Sequence, residues 1–222
     1  MPTYGDLALG RGAQLSKDRS RAVFGQTMGL VGLTAGCAAL GAYVGRNLAG
    51  GTGLLMFIAA FACMFGLQFA ARRAHEQLAI TLLFGLGFFL GMAVGPVLAY
   101  YANDDPSVLW QAAGATGAFI VGLGAVGYTS RRDLSVYART FFFALLALLA
   151  FGLIAIFVTI PGANIIYCLA GIVIFSGFTV IDFNRLRRAN MASAPVIAAA
   201  IFLDVFNMFL LLLSLLGGGR RR

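Results

Sequence analysis

Charge is what this sequence has least of. Asp, Glu, Lys and Arg together make up 11% of its 222 residues. A soluble domain carries about 25%, so an ordinary water-facing fold is excluded. Histidine occurs once, as His75 in the stretch Arg72-Arg-Ala-His-Glu-Gln77. It has neither the His-Glu-x-x-His spacing of a zinc hydrolase nor a carboxylate or cysteine at motif spacing, and it reads as a solvated loop residue. Cys37, Cys63 and Cys168 are scattered singly through apolar runs. They form neither a disulfide framework nor a metal spacing and read as small buried hydrophobes. No glycine-rich phosphate loop follows a strand. The polar, basic start, Met1 to Arg21, has no short apolar core ahead of a cleavage site, so no cleaved signal peptide is expected. Neither an enzyme nor a cofactor is expected.

What the chain does have is long apolar runs. Hydrophobic residues are 60% of it. A helical span needs about 20 apolar residues. Seven runs qualify, at 22–45, 53–71, 78–101, 107–129, 141–160, 163–184 and 195–216. The expected product is an all-α integral membrane protein of seven transmembrane helices. Its single transmembrane domain covers 22–219, with a polar cytoplasmic N-tail, 1–21, before it and a basic C-terminal tail, 220–222, after it. Asn103-Asp-Asp-Pro106 offers acidic caps and a proline suited to a first helical turn. Pro161-Gly162 breaks the chain between spans five and six, and Pro195 suits the start of span seven. Trp110, Tyr100 and Tyr101 read as interfacial anchors. Asp104 and Asp105 read as caps. Small residues at four-residue spacing, Gly25/Gly29, Gly32/Gly36, Gly41/Gly45 and Gly87/Gly91/Gly95, permit close helix approach in lipid.

The net charge of +8 points to topology rather than to nucleic acid, because no basic face remains once the spans are removed. Arg11, Lys17, Arg19 and Arg21, then Arg72 and Arg73, then Arg131, Arg132 and Arg139, then Arg185, Arg187 and Arg188 occupy alternate connections. Only Arg46 and the terminal Arg220, Arg221 and Arg222 fall on the opposite side. The positive-inside rule therefore places the N-terminus in the cytoplasm. It also puts the three terminal arginines outside, against the same rule. The last run is nonetheless expected to cross, being 22 residues long without a break.

Two aspartates carry the functional reading. Asp204 is the sole ionisable residue of the run Pro195–Leu216, and Asp182 closes the run before it. A carboxylate at membrane depth costs at least about 2.5–3.5 kcal/mol and is rarely left without a partner or a task. Counted from the inner ends of their spans, at Arg188 and Pro195, the two lie about 9 and about 13 Å deep, close enough for the side chains to meet. Two carboxylates in contact at low dielectric cannot both ionise cheaply, so such a pair can share a proton. On losing it, the pair becomes a site for a hard cation such as calcium. A nearby arginine could neutralise it instead, and Arg72 lies on the same side by topology.

The stretches Gly171-Ile-Val-Ile-Phe-Ser-Gly-Phe-Thr-Val-Ile-Asp-Phe-Asn-Arg-Leu186 and Ile201-Phe-Leu-Asp-Val-Phe-Asn-Met-Phe-Leu210 resemble the last two spans of the Bax inhibitor family, also called the transmembrane Bax-inhibitor-motif family. Leu83 to Tyr101, with Gly91 and Gly95-Pro96, looks like its third span. Gly127-Tyr-Thr-Ser-Arg-Arg-Asp-Leu-Ser135 looks like its basic fourth-to-fifth loop. The resemblance covers 20–219. It implies seven helices, the last central and surrounded by two three-helix groups. It also implies, from the aspartate-bearing prokaryotic members, a pH-sensitive calcium leak channel in the bacterial inner membrane. Asp182 and Asp204 would be the proton and calcium sensor, and the metal ligands. Arg72, or its neighbour Arg73, would be the latch of the closed state. The implied partners are the lipid bilayer and calcium; the chain is expected to be a monomer without nucleic acid. The alternatives are a modulator of a membrane protease or of membrane protein quality control, as in relatives that lack the aspartates, and a proton-coupled cation exchanger.

Overall fold

The structure, a computed structural model, describes residues 4–48 and 51–218, with side chains from residue 18 onward. The described residues form seven long helices and no strand: α1 Tyr4–Gly45, α2 Thr52–Arg72, α3 Glu76–Asp104, α4 Pro106–Thr129, α5 Ala138–Phe157, α6 Ala163–Arg187 and α7 Ala194–Gly218, with short 3-10 turns at Ser135–Tyr137 and Met191–Ser193. All seven are long and apolar enough to cross a membrane. α1, α3, α5 and α7 begin on one face of the bundle, which also holds the basic connections and is called the basic face below.

The punctuation read from the sequence sets most of the boundaries. Asp105 caps α4 by accepting from the Ser107 N–H at 3.1 Å, with Pro106 in the first turn. Gly162 opens α6 at φ +76°, a left-handed conformation that suits glycine. Asn190 and Ser193 form a reciprocal capping box just before α7. α7 is one unbroken helix of 25 residues, as a full crossing requires. Several boundaries differ from the hydropathy reading, α3 and α6 each running three residues further, to Asp104 and Arg187. α5 runs 138–157 and not 141–160, because Val158 is extended and the residue before Pro161 is steered away from helix. The backbone of the polar N-tail is helical from Tyr4, continuous with the first span. The basic tail 220–222 lies outside the described residues.

α7 packs against α1, α2, α3, α4 and α6. Half of its most apolar stretch is buried, against 6% for α5, so the last helix is the central one. α1, α2 and α3 pack together on one side of it, and α4, α5 and α6 on the other, where α5 is held chiefly by α6. The α1–α3 contact depends on glycine. A Cβ on Gly45 would stand 2.5 Å from the Met92 carbonyl oxygen, and one on Gly95 would stand 2.7 Å from the Gly45 backbone. Gly41, Gly87 and Gly91 are equally blocked by facing backbone. Gly25, Gly29, Gly32 and Gly36 face no other part of the protein. The four-residue spacing is therefore used in α1 only at its last turns, by Gly41 and Gly45.

Candidate functional site

The last two turns of α6 are buried on nearly every side, since α1, α4 and α7 all pack on that helix. Thr179, Ile181, Asp182, Phe183, Asn184 and Leu186 are all buried. Asp182 retains 5% of its surface and Asp204, on the neighbouring α7, 4%. The structure brings these two together: Asp204 lies within electrostatic reach of Asp182 and Arg185, and beside the Thr179 hydroxyl. That hydroxyl donates to the Phe175 carbonyl at 2.8 Å.

The two carboxylates are satisfied unequally. Asp182 Oδ1 accepts from Arg185 Nη1 at 3.1 Å, one helical turn away on the same helix. Asp204 Oδ2 is buried without any hydrogen-bond partner. A buried polar atom left so costs on the order of 1–3 kcal/mol, more when charged. Leu186 and Ile201, one turn from the aspartates toward the basic face, pack with Val23 and Phe183 into an apolar cluster. Among the described residues no three His, Cys, Asp or Glu side chains cluster closely enough to hold a metal ion. A cation at the pair would have to complete its shell from hydroxyls, carbonyls and water, as calcium commonly does.

Arg72 is not at the aspartates in this arrangement. It ends α2, exposed, and the neighbouring Arg73 lies over the Phe69 ring at 4.3 Å. The guanidinium on the pair is that of Arg185, whose i, i+3 spacing from Asp182 was the available signal. His75 is exposed just before α3.

A second residue that sequence reasoning passes over is Asn184, 1% exposed. Its Nδ2 donates to the carbonyls of Gly127 at 3.2 Å, Ser130 at 3.0 Å and Arg132 at 3.2 Å, and its Oδ1 accepts from the Leu134 N–H at 3.2 Å and from Arg188. These are backbone groups where α4 ends and the basic loop begins, the groups a helix terminus leaves unpaired. Arg187 donates to the Ser130 carbonyl at 2.6 Å, and Arg188 pairs with Asp133 at 2.9 Å. The Arg188 hydrogen bond, with help from the Ser135 backbone N–H, holds the exposed Asp133 carboxyl down at about 2, so it is charged throughout the neutral range. α6 and the 130–135 loop therefore form one fixed unit beside Asp182. Gly127 completes it, since a Cβ there would collide with the Val180 backbone. Asn184 stands between Asp182 and the basic residues Arg185, Arg187 and Arg188, so its sequence neighbours give it no signal of its own. Asn184→Leu takes a hydrogen-bond partner from four buried or part-buried backbone groups, of which the Ser130 carbonyl keeps Arg187, and is expected to cost about 3–5 kcal/mol. Its melting temperature in detergent should fall by roughly 10 °C. An unchanged melting temperature would mean that Arg187 and Arg188 hold the loop by themselves.

A family model and several known proteins match most of the chain. The model described as inhibitor of apoptosis-promoting Bax1 matches residues 20–221. A Vibrio cholerae protein named an uncharacterized membrane protein is 34% identical over 168 residues, covering 74% of this chain and 74% of the relative. A Caulobacter vibrioides protein is 29% identical over 188 residues, covering 79% of this chain and 74% of the relative. A vaccinia virus protein named a Golgi anti-apoptotic protein is 30% identical over 174 residues, covering 77% of this chain and 72% of the relative. The chain belongs to the Bax inhibitor family and is a multi-pass membrane protein.

Proposed function

We propose that this member of the Bax inhibitor family is a pH-sensitive calcium leak channel whose sensor is the Asp182–Asp204 pair. The carrying observation is a buried carboxylate oxygen, Asp204 Oδ2, that has no hydrogen-bond partner and lies within reach of a second buried carboxylate. A proton or a hard cation supplies what that oxygen lacks, and the two compete for it. With both carboxylates ionised, the positive charge at the pair favours a closed arrangement. Protonating either one weakens it, so leak rises as pH falls. The basic connections support a cytoplasmic N-terminus, which would place the pair in the cytoplasmic half of a bacterial inner membrane.

A second reading makes the chain a modulator of a membrane protease or of membrane protein quality control, without transport of its own. A third uses the same carboxylates for proton-coupled exchange. Purified protein in liposomes, with calcium and pH gradients imposed separately, separates the three. The channel passes calcium down its gradient with no pH gradient present, and about severalfold faster at pH 6 than at pH 8, since protonating the pair opens it. Flux only when a proton gradient is imposed makes it an exchanger. No flux in any condition removes transport and leaves the modulator.

A further inference from the structure

Thr27 on α1 is fully buried at 0% exposure, and its hydroxyl has no hydrogen-bond partner. That is unusual for a helical threonine, whose hydroxyl can bond the carbonyl one turn back. The other three buried threonines do so: Thr34 to Leu30 at 2.7 Å, Thr116 to Ala112 at 2.7 Å and Thr179 to Phe175 at 2.8 Å. Thr27 leaves the Val23 carbonyl and turns its hydroxyl elsewhere.

The helix register says where. α1 and α7 both start at the basic face and run parallel, while α6 runs back toward it, and the three pack on one another. Val23 of α1, Leu186 of α6 and Ile201 of α7 belong to one apolar layer. One turn deeper on each helix brings Thr27, Asp182 and Asp204 into the next layer. Thr27 and Asp204 are thus both buried, both carry an unpartnered oxygen, and lie level on helices in contact. Gln26 also has an unpartnered Oε1, but its amide donates to Glu76 at the start of α3, on a different side of α1.

We propose that Thr27 is the third oxygen of the Asp182–Asp204 site, a direct ligand that α1 contributes to a calcium ion held there. The hydroxyl and Asp204 Oδ2 are the two orphaned oxygens of one layer, and a small oxygen-coordinated ion satisfies both at once. A neutral hydroxyl suits the position, because it adds a ligand without a third negative charge at membrane depth. The site then joins the two halves of the bundle. This rests on the sensor reading above and extends it.

The test is calcium binding by the full-length protein in detergent, read by calorimetry and by the rise in melting temperature that calcium produces. Thr27→Val keeps the shape and removes the oxygen, whereas Thr27→Ser keeps the oxygen. Thr27→Val is expected to weaken calcium binding about tenfold and to shrink the calcium-dependent rise in melting temperature. Without calcium it should be as stable as wild type or more so, since it loses an unsatisfied buried hydroxyl. A purely structural threonine would move the calcium-free melting temperature downward instead. Thr27→Ser should bind within about twofold of wild type, as a retained ligand requires. If Thr27→Val binds calcium like wild type while Asp204→Asn loses it, the Thr27 assignment is overturned and the pair stands. If Asp204→Asn also binds like wild type, the reading of the pair falls, and the Thr27 assignment with it.

Discussion

Calcium flux through Asp204→Asn or Asp182→Asn protein in liposomes should lose its dependence on pH between about pH 6 and pH 8, because either replacement breaks the pair that shares a proton. Asparagine keeps the size of aspartate and its capacity for hydrogen bonds but has no proton to give up. A severalfold wild-type response should therefore flatten to less than about twofold in either mutant, because a sensor made of two coupled groups fails when one is removed. The two mutants should differ in stability. Asp204 contributes an oxygen with no hydrogen-bond partner, so replacing it removes a buried charge and should leave the melting temperature unchanged or higher. Asp182 accepts from Arg185, and its replacement gives up a charge-assisted hydrogen bond for a weaker one. Wild-type pH profiles from both mutants would exclude the pair as the sensor.

What the sequence shows and what it hides divide along a physical line. A carboxylate in an apolar run contradicts its surroundings, so Asp182 and Asp204 stand out without any knowledge of packing. The helix count follows from run length, and several ends from Asp105, Pro106, Gly162 and Pro195. Which side chains face one another depends on rotation about each helix axis. Each residue turns the helix by about 100°, so an uncertainty of one or two residues in a boundary erases the rotational information. That is why Gly41 and Gly45 cannot be told from Gly25 and Gly29 by spacing, although only the first two meet another helix. It is also why Thr27 and Asn184 read as ordinary helix residues. Counting basic residues gives the side on which an arginine lies but not what it faces. Arg72 and Arg185 are equivalent by that count, and what separates them is the i, i+3 spacing that sets Arg185 against Asp182 on one helix.

That difference makes the two arginines the sharpest comparison to run. Arg185 stands 3.1 Å from Asp182, with its side chain 45% exposed. Solvent screens a charge so placed, and its effect belongs between that of a surface pair and a buried one. Removing it leaves the pair with less positive charge nearby, so a proton is held to higher pH and the leaky form persists there. Arg185→Ala should move the midpoint of the flux profile upward by roughly 0.5–1 pH unit. On the steep part of the curve, that is roughly a three- to tenfold rise in leak at neutral pH, with little change at acid pH, where wild type already leaks. Arg72→Ala should leave the midpoint in place, since Arg72 lies exposed at the end of α2, and Arg73→Ala serves as its control for a simple loss of positive charge at the basic face. The opposite outcome would be as informative. If Arg72→Ala raises leak at neutral pH and Arg185→Ala and Arg73→Ala do not, α2 must swing its last turn onto the aspartates in a second, closed arrangement, and Arg185 then serves only to anchor Asp182 within α6.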